Sequence, residues 1–538
     1  MAMRRRSTVA PSCSGNRQRS YAPLRRLRIS ATRPCSNWGA AMRRDGREMR
    51  RAERLTADVV VVGSGPAGSA VALRLAEAGV RTIVVEEGHW FDPARAPLDH
   101  ARATREWYRD HGFSATIGRL PTPFLQGRAV GGTSVVNGAI SWRLPEDVRA
   151  GWVAADPALA EVLDREVLER RFDWIEARLG IVPTDDAVAG VKNHLMARGA
   201  DALGLEHRPI RRNVRACQGS GRCMQGCPNG AKQSMDRTLL ADAEQHGAQI
   251  LSGVRIERVR HRRGRVAGVT GRSAAGARID IEAPRVVLAA SAVQTPALLM
   301  ASGLREGPVG RHFMCHPGAS VAGRFAEPVR MWEGATQGHE VIGLRHEGLK
   351  FEALGFDLSI LASRMPGGAS DWQRRFAEMA HVADWGVAIR SRSEGRVRRM
   401  GGKARVVWSP SAADAVLFRR GVAMLGRLFL AAGAEHVHLG VAGWNEEIHD
   451  ETTIDRFEQE GPRDPRAYTS AVTHMFGTAR MAGDPRRGVV GPDYRHHHCD
   501  GLYVADSSIF PTNTGVNPQT SIIALALGCG DAIVQQER

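Results

Sequence analysis

The sequence predicts an α/β fold, α+β overall, and three observations predict it. A run of β-branched residues at 59–62 leads directly into a glycine-rich turn and a helix. Short alternating runs at 250–287, broken by Gly264, Gly268 and Gly276, read as a β-meander. A strand followed by an apolar helix closes the chain. Hydrophobic residues make up 43% and charged residues 24% of 538 residues, a globular composition and enough chain for two or three domains.

Residues 58–62 (Asp-Val-Val-Val-Val) read as a buried parallel strand. Gly63-Ser64-Gly65-Pro66-Ala67-Gly68 follows at once, and a helical pattern then runs to Ala78 and stops at Gly79. Residues 81–85 form the second strand, with Glu86 at its end. Strand, G-x-G-x-x-G turn, helix, strand and acid in this order are the parts of a Rossmann-like dinucleotide site. Gly63 permits the tight turn, Gly65 lets backbone N–H groups approach a pyrophosphate, and Gly68 lets helix and strand close up. Pro66 and Ala67 open the helix whose N-terminus faces the phosphates. Glu86, 18 residues past Gly68, is placed to accept hydrogen bonds from ribose hydroxyls. This pattern does not separate FAD from NAD.

The net charge is +17, but residues 1–57 hold 15 Arg, no Lys, two Glu and one Asp and so carry +12. The remaining 481 residues carry +5, which is little reason to expect a nucleic-acid or membrane-surface partner. Residues 1–57, rich in Arg, Ser, Pro and Ala, read as a disordered basic extension. Arginine clusters at 4–6 and 25–26 lack the apolar stretch of an export signal. Met42 and Met49, just before the first strand, are alternative starts. No segment has the run of apolar residues that a membrane span needs. Eight cysteines are too few for a disulfide scaffold, so a cytoplasmic compartment is the default.

A second glycine-rich loop, Gly127-Arg128-Ala129-Val130-Gly131-Gly132-Thr133-Ser134-Val135-Val136-Asn137, resembles a stretch of the glucose–methanol–choline (GMC) oxidoreductases. Ser291-Ala292-Val293-Gln294-Thr295-Pro296 resembles another, although Arg305 stands where a glycine is usual. Residues 501–506, then Asn517-Pro518-Gln519-Thr520 and an apolar helix at about 521–534, resemble a third. The resemblance implies FAD, with Arg128, Gly131, Gly132, Thr133, Ser134, Asn137 and Val254 along it. It implies Asp506 as an FAD-contacting acid, and Asn517, Pro518, Gln519 and Thr520 at a helix N-terminus aimed at the flavin pyrimidine edge. Relatives with covalent flavin carry a His at the position of Val136, so noncovalent FAD is expected here.

Oxidising an alcohol with a flavin requires a base for the hydroxyl proton and a path for hydride to N5. Histidine suits the first. Thr473-His474-Met475-Phe476-Gly477-Thr478 resembles the family's H-x-x-G-T segment, which implies His474 as the base. Asn517 falls on the second catalytic position and would hold the substrate oxygen.

Cys217, Cys223 and Cys227 lie among glycines at C-x5-C-x3-C spacing. Thiolates ligate iron–sulfur clusters, and three of them suit a 3Fe-4S cluster. The segment is similar to those of bacterial FAD-dependent sugar dehydrogenases, which pass electrons to a cytochrome. It is also similar to segments in sterol- and long-chain-alcohol-oxidase-like members; zinc or free thiols are the other readings. His496-His497-His498-Cys499 reads as a linker.

The domain expectation is FAD binding by 58–145, 205–303 and 470–538, and substrate binding by 146–204 and 304–469, the latter an antiparallel sheet flanked by helices. Trp332, Phe351, Phe356, Trp372, Trp385 and Trp408 are its core or pocket aromatics. The expected activity is FAD-dependent oxidation of the CH–OH group of a small-molecule alcohol, with a cytochrome or quinone as acceptor. The alternatives are an oxygen-using alcohol or sterol oxidase and an FAD-containing lyase of the same fold.

Overall fold

A computed structural model describes residues 42–96, 99–360, 368–444 and 447–537. The all-valine strand Val59–Val62 lies in the middle of a six-stranded, all-parallel sheet. On one side come Thr82–Val85, Gln249–Ser252 and the edge strand Arg43–Asp45; on the other come Arg285–Leu288 and Leu502–Val504. Strands buried on both faces need apolar residues at every position, which is why this strand does not alternate. The helices Pro66–Glu77 and Gln519–Glu537 pack against each other beside it. Gly79 follows the first helix with φ +76°, the left-handed ending its position predicted.

The meander is Val254–Arg262, Arg265–Ser273 and Arg278–Glu282, antiparallel in sequence order. A fourth strand, Glu53–Thr56, joins Arg278–Glu282 in parallel. The disordered extension expected through residue 57 is therefore corrected for 42–57: this stretch adds an edge strand to each of two sheets. Its composition hid the strands because their partners are some 200 residues away and because charged side chains pair across the edge. Arg44 meets Glu53 at 2.6 Å and Arg43 meets Glu244 at 2.6 Å. Residues 1–41, with the arginine clusters, lie outside the described residues.

The third sheet is antiparallel and has seven strands. Its order is His436–His438, Met314–Arg324, Val382–Ile389, Leu349–Leu354, His339–Val341 and His207–Pro209, with Ala471–Phe476 also paired to Met314–Arg324. The 20-residue helix Ala412–Ala431 covers it, started by a reciprocal Ser411/Asp414 capping box. Trp385 stacks on Phe429 at 3.7 Å in this core. Phe351, Phe356, Trp385 and Trp408 are buried, whereas Trp372 is 39% exposed. None of the six named aromatics lines the cavity described below. Two strands of this sheet, His207–Pro209 and Ala471–Phe476, come from segments expected in the other domain, so His474 enters the site from the antiparallel sheet.

Candidate active site

A cavity of about 710 Å³ runs from the end of Val59–Val62 to the antiparallel sheet. Its first wall is backbone. Gly63 has φ +102°, and a Cβ there would lie 2.4 Å from the carbonyl oxygen of Ala289. A Cβ on Gly68 would lie 1.8 Å from the carbonyl oxygen of Gly63, so no larger residue lets this helix reach its strand. Gly65, Pro66 and Ala67 face the cavity, and a Cβ on Gly132 would come 2.7 Å from Cα of Gly65. The two glycine loops therefore touch. Ser64 Oγ joins them, donating to Glu86 Oε2 (2.8 Å) and accepting from the Gly131 N–H (3.0 Å).

Glu86 is on the wall and accepts three bonds, from Ser64 N, Ser64 Oγ and Gly88 N. Burial raises its carboxyl pKa above the ordinary value, and those bonds oppose the rise. The neighbouring Glu87 also lines the cavity, paired with Arg109 at 2.9 Å. Burial pushes Glu87 up, but Arg109 outweighs it and the net shift is downward. The motif reading passed over this second acid because it looks only for one.

Further along, Thr133, Ser134, Asn137 and Val254 are on the wall, as are Asp506, Asn517, Pro518 and Gln519. Gly68, Gly131, Arg128 and Thr520 are not. The two glycines act through packing and a backbone bond, while the Arg128 side chain is not brought to the cavity. Asp506 accepts from Ser508 N (2.8 Å), Ser291 N (3.0 Å) and Thr295 Oγ1 (2.5 Å). Ser291 holds φ +93°, a strained non-glycine backbone on the cavity wall. Asn137 donates from Nδ2 to Gln519 Oε1 at 2.7 Å, which turns Gln519 Nε2 into the open space. Gln519 Nε2, Thr520 Oγ1 and Ser521 Oγ are buried without hydrogen-bond partners among the described residues. Of these, Gln519 lines the cavity, and an orphaned amide at a helix N-terminus in the same cavity as two glycine loops suits a dinucleotide with a polar ring system.

The far wall holds the chemistry. Antiparallel register places His316 opposite His474. Their Nδ1 atoms are 3.2 Å apart, and His316 Nε2 accepts the Gly515 N–H at 2.8 Å. His474 Nε2 lies 3.5 Å from Asn517 Nδ2. Asn517 is oriented by Lys350 Nζ, which donates to its Oδ1 at 3.1 Å. Lys350 also pairs with Glu340 (2.8 Å) and with Glu352. The register sets Glu340 opposite both Arg208 and Glu352, and two acids facing each other repel unless a cation lies between them. Lys350 is that cation; burial lowers its pKa, but the two carboxylates outweigh burial and the net shift is upward. Trp142 Nε1 donates to Glu340 as well. His316, Lys350 and Glu352 carry no local motif, and sequence reasoning missed all three.

Burial, with Lys350 adding to it, pushes the His474 imidazole down to about 3, and burial holds His316 well below its ordinary value. Both rings are neutral near pH 7. Because His316 Nε2 accepts from Gly515, its single proton sits on Nδ1 and is donated to His474 Nδ1. His474 then carries its own proton on Nε2. The resting site presents two N–H groups, from His474 and Asn517, whose nitrogens are 3.5 Å apart.

Gly477 and Thr478 explain the rest of that segment. A Cβ on Gly477 would lie 2.3 Å from the His312 carbonyl oxygen, and Thr478 Oγ1 donates to the Ala292 carbonyl (2.5 Å).

The cysteine segment is tied into the same region. Lys232 is buried and donates to the carbonyls of Val135 (2.5 Å), Asn137 (2.9 Å) and Cys223 (2.8 Å), clamping the second glycine loop to it. Arg212 reaches Cys223 Sγ at 3.2 Å and Cys217 Sγ at 3.9 Å. Burial raises the Cys223 thiol pKa, but Arg212 and Lys232 outweigh it, and the net shift is downward. Cys217, Cys223 and Cys227 are free thiols, and among the described residues they do not form a group of close donor atoms such as a zinc ion needs.

Two profiles, both described as GMC oxidoreductase, match residues 57–318 and 391–526. The chain belongs to the GMC oxidoreductase family. An uncharacterized GMC-type oxidoreductase of Mycobacterium tuberculosis is 34% identical to it over 89% of this chain and 76% of that protein. A long-chain-alcohol oxidase of Arabidopsis thaliana is 27% identical over 89% of this chain and 69% of that protein. Among solved structures, a formate oxidase of Aspergillus oryzae, studied for modification of its FAD, superposes with TM-score 0.67 at 17% identity. The match covers 90% of this chain and 99% of that one, and shows the fold. This GMC oxidoreductase is thus a flavoprotein by family, with the α/β architecture expected from its sequence.

Proposed function

We propose that this GMC oxidoreductase binds FAD noncovalently and oxidises the CH–OH group of an alcohol. One observation carries the proposal: His474 and Asn517, 3.5 Å apart, share a cavity with two glycine loops and the orphaned amide donor of Gln519. Bound FAD would supply a two-electron acceptor for the hydride leaving the carbinol carbon. The chain's own residues do the rest. Asn517, held by Lys350, donates to the substrate oxygen and stabilises it as its proton departs, and His316 holds His474 in the same wall. The Asn517 donor is set before substrate arrives and needs no reorganisation.

His474 is the proposed base. To accept at Nε2 it must carry its proton on Nδ1, which requires His316 to change tautomer and release the Gly515 N–H. That requirement favours a second reading for this one step, in which Glu352, on the same wall, takes the hydroxyl proton while His474 stays a donor.

The cysteine segment had been the reason to expect a cytochrome or quinone acceptor through a 3Fe-4S cluster. Arg212 fills the space between two of the three thiols, so the arrangement does not suit a cluster, and the preference for a non-oxygen acceptor loses its ground.

The test is anaerobic addition of alcohols, from sugars and polyols to sterols and long-chain alcohols, to the purified yellow protein. Bleaching of the flavin by at least one is expected. Retained colour with all of them, alongside cleavage of a cyanohydrin, would instead support the lyase alternative. Acid precipitation should release the flavin to the supernatant, since Val136 offers no nucleophile where a linked His would stand.

A further inference from the structure

At one edge of the antiparallel sheet, His436–His438 pairs with the segment through Ile448. Val437 N donates to Ile448 O (2.9 Å) and Ile448 N to Val437 O (3.1 Å). Val437 and Ile448 are therefore an opposed pair, and both enter the core, 0% and 1% exposed. Strand alternation sends their neighbours to the other face: His436 and His438 from one strand, Glu447 and His449 from the other. Donor atoms of His436, His438 and Glu447 all lie within 4.8 Å of one another. His438 Nδ1 is buried with no hydrogen-bond partner among the described residues. None of these residues lines the flavin cavity.

We propose that His436, His438 and Glu447 form a zinc(II) site on the outer face of this edge ribbon, with water completing the coordination. Two imidazole nitrogens and one carboxylate oxygen are a zinc ligand set. Tetrahedral bonds of about 2.1 Å put ligand atoms about 3.4 Å apart, so the three side chains close by roughly 1 Å through side-chain rotation. Both bonds from Arg374 to Glu447 end on Oε1 (3.2 Å each), which leaves Oε2 for the metal. A ligating carboxylate held in this way is ordinary in metal sites. His449 backs the site: its ring centroid is 5.6 Å from that of His436, and its Nδ1 donates to the Glu435 carbonyl (2.9 Å). Arg374 and Arg375, 3.2 Å and 3.9 Å from Glu447, oppose a cation and limit the affinity to a moderate value. The ion would staple this short strand, held by Met314–Arg324 on one side, to the segment that meets it on the other only at Ile448.

The experiment is calorimetric titration of the chelator-treated, flavin-loaded protein with zinc chloride, with metal counted afterwards by elemental analysis. One zinc per chain is expected, together with a higher thermal midpoint. The double variant His436→Ala/His438→Ala should bind at least about 100-fold more weakly, more than loss of an outer hydrogen-bond partner causes. Glu447→Gln keeps the side-chain shape and should weaken binding by about 10–100-fold. Flavin absorbance, which does not depend on this site, shows that each variant is folded. Absence of stoichiometric zinc in the wild type, or equal affinity in the double variant, overturns the proposal.

Discussion

At one end of the cavity, recognition is made by backbone. Gly63, Gly65, Gly68, Gly131 and Gly132 bring two loops into contact, and Glu86, Glu87 and Arg109 stand beside them. At the other end it is made by side chains from distant strands: His316 and His474 from one strand pair, Glu340, Lys350 and Glu352 from another, and Asn517 from the start of the last helix. At Gly63, Gly68 and Gly132 the first end has no room for an added carbon because backbone already fills the space. The second depends on its chain of partners, because each group there is buried or half-buried and held by the next. A ligand's common part can be met by rigid backbone, whereas a proton transfer needs groups whose ionisation is set by neighbours.

The comparison breaks most visibly at His474. Replacing it by Ala should lower turnover by about 10²–10⁴-fold and leave the flavin bound, measured by steady-state kinetics and by the flavin spectrum. Glu352→Gln sharpens the same point: a loss as large as that of His474→Ala assigns the proton to the carboxylate, and a loss under about tenfold assigns it to the imidazole.

Lys350→Met tests the charged wall as structure. It leaves Glu340 and Glu352 facing each other in a buried place and should cost about 3–5 kcal/mol in denaturant unfolding. Turnover should fall as well, since Asn517 loses its anchor. At the other end, Gly68→Ala should cost about 1–3 kcal/mol through overpacking and reduce flavin content, while leaving the His474–His316 geometry intact.

The last test is of pH. Burial holds His474 at about 3 in the folded chain, against 6.5 unfolded. Between those values the unfolded chain binds more protons, so stability falls as pH drops through the window. Urea midpoints from pH 4 to 8 should therefore slope less steeply in His474→Gln than in the wild type. The activity profile should likewise show no acid limb near 6.5.

Much of this was legible. The strand Val59–Val62, the helix Pro66–Glu77 with its Gly79 ending, the meander and the final helix each follow from a local pattern of residues. His474, Asn517 and Glu86, which the structure brings to one cavity, could be singled out because they lie inside short motifs. Arg43–Asp45 and Glu53–Thr56 were hidden, because a three- or four-residue edge strand rich in charge has no period of its own. Arg128 was overassigned, since a motif position says nothing about where a long side chain points. The cysteines suggested a cluster because spacing is visible in the chain, and Arg212, five residues before Cys217, has no spacing rule to announce it.

By itself the sequence determined the parallel sheet, the nucleotide turn and the family, because each is encoded within a few neighbouring residues whose backbone conformations they dictate. Tertiary structure alone decided that His316 meets His474, that Lys350 separates two acids and orients Asn517, and that Arg212 lies between two thiols. The first contact and the Lys350–Asn517 bond join residues more than 150 positions apart, and the others join near neighbours that no motif pairs; the strand register that sets His316 against His474 and Glu340 against Glu352 is fixed by the packing of the whole sheet.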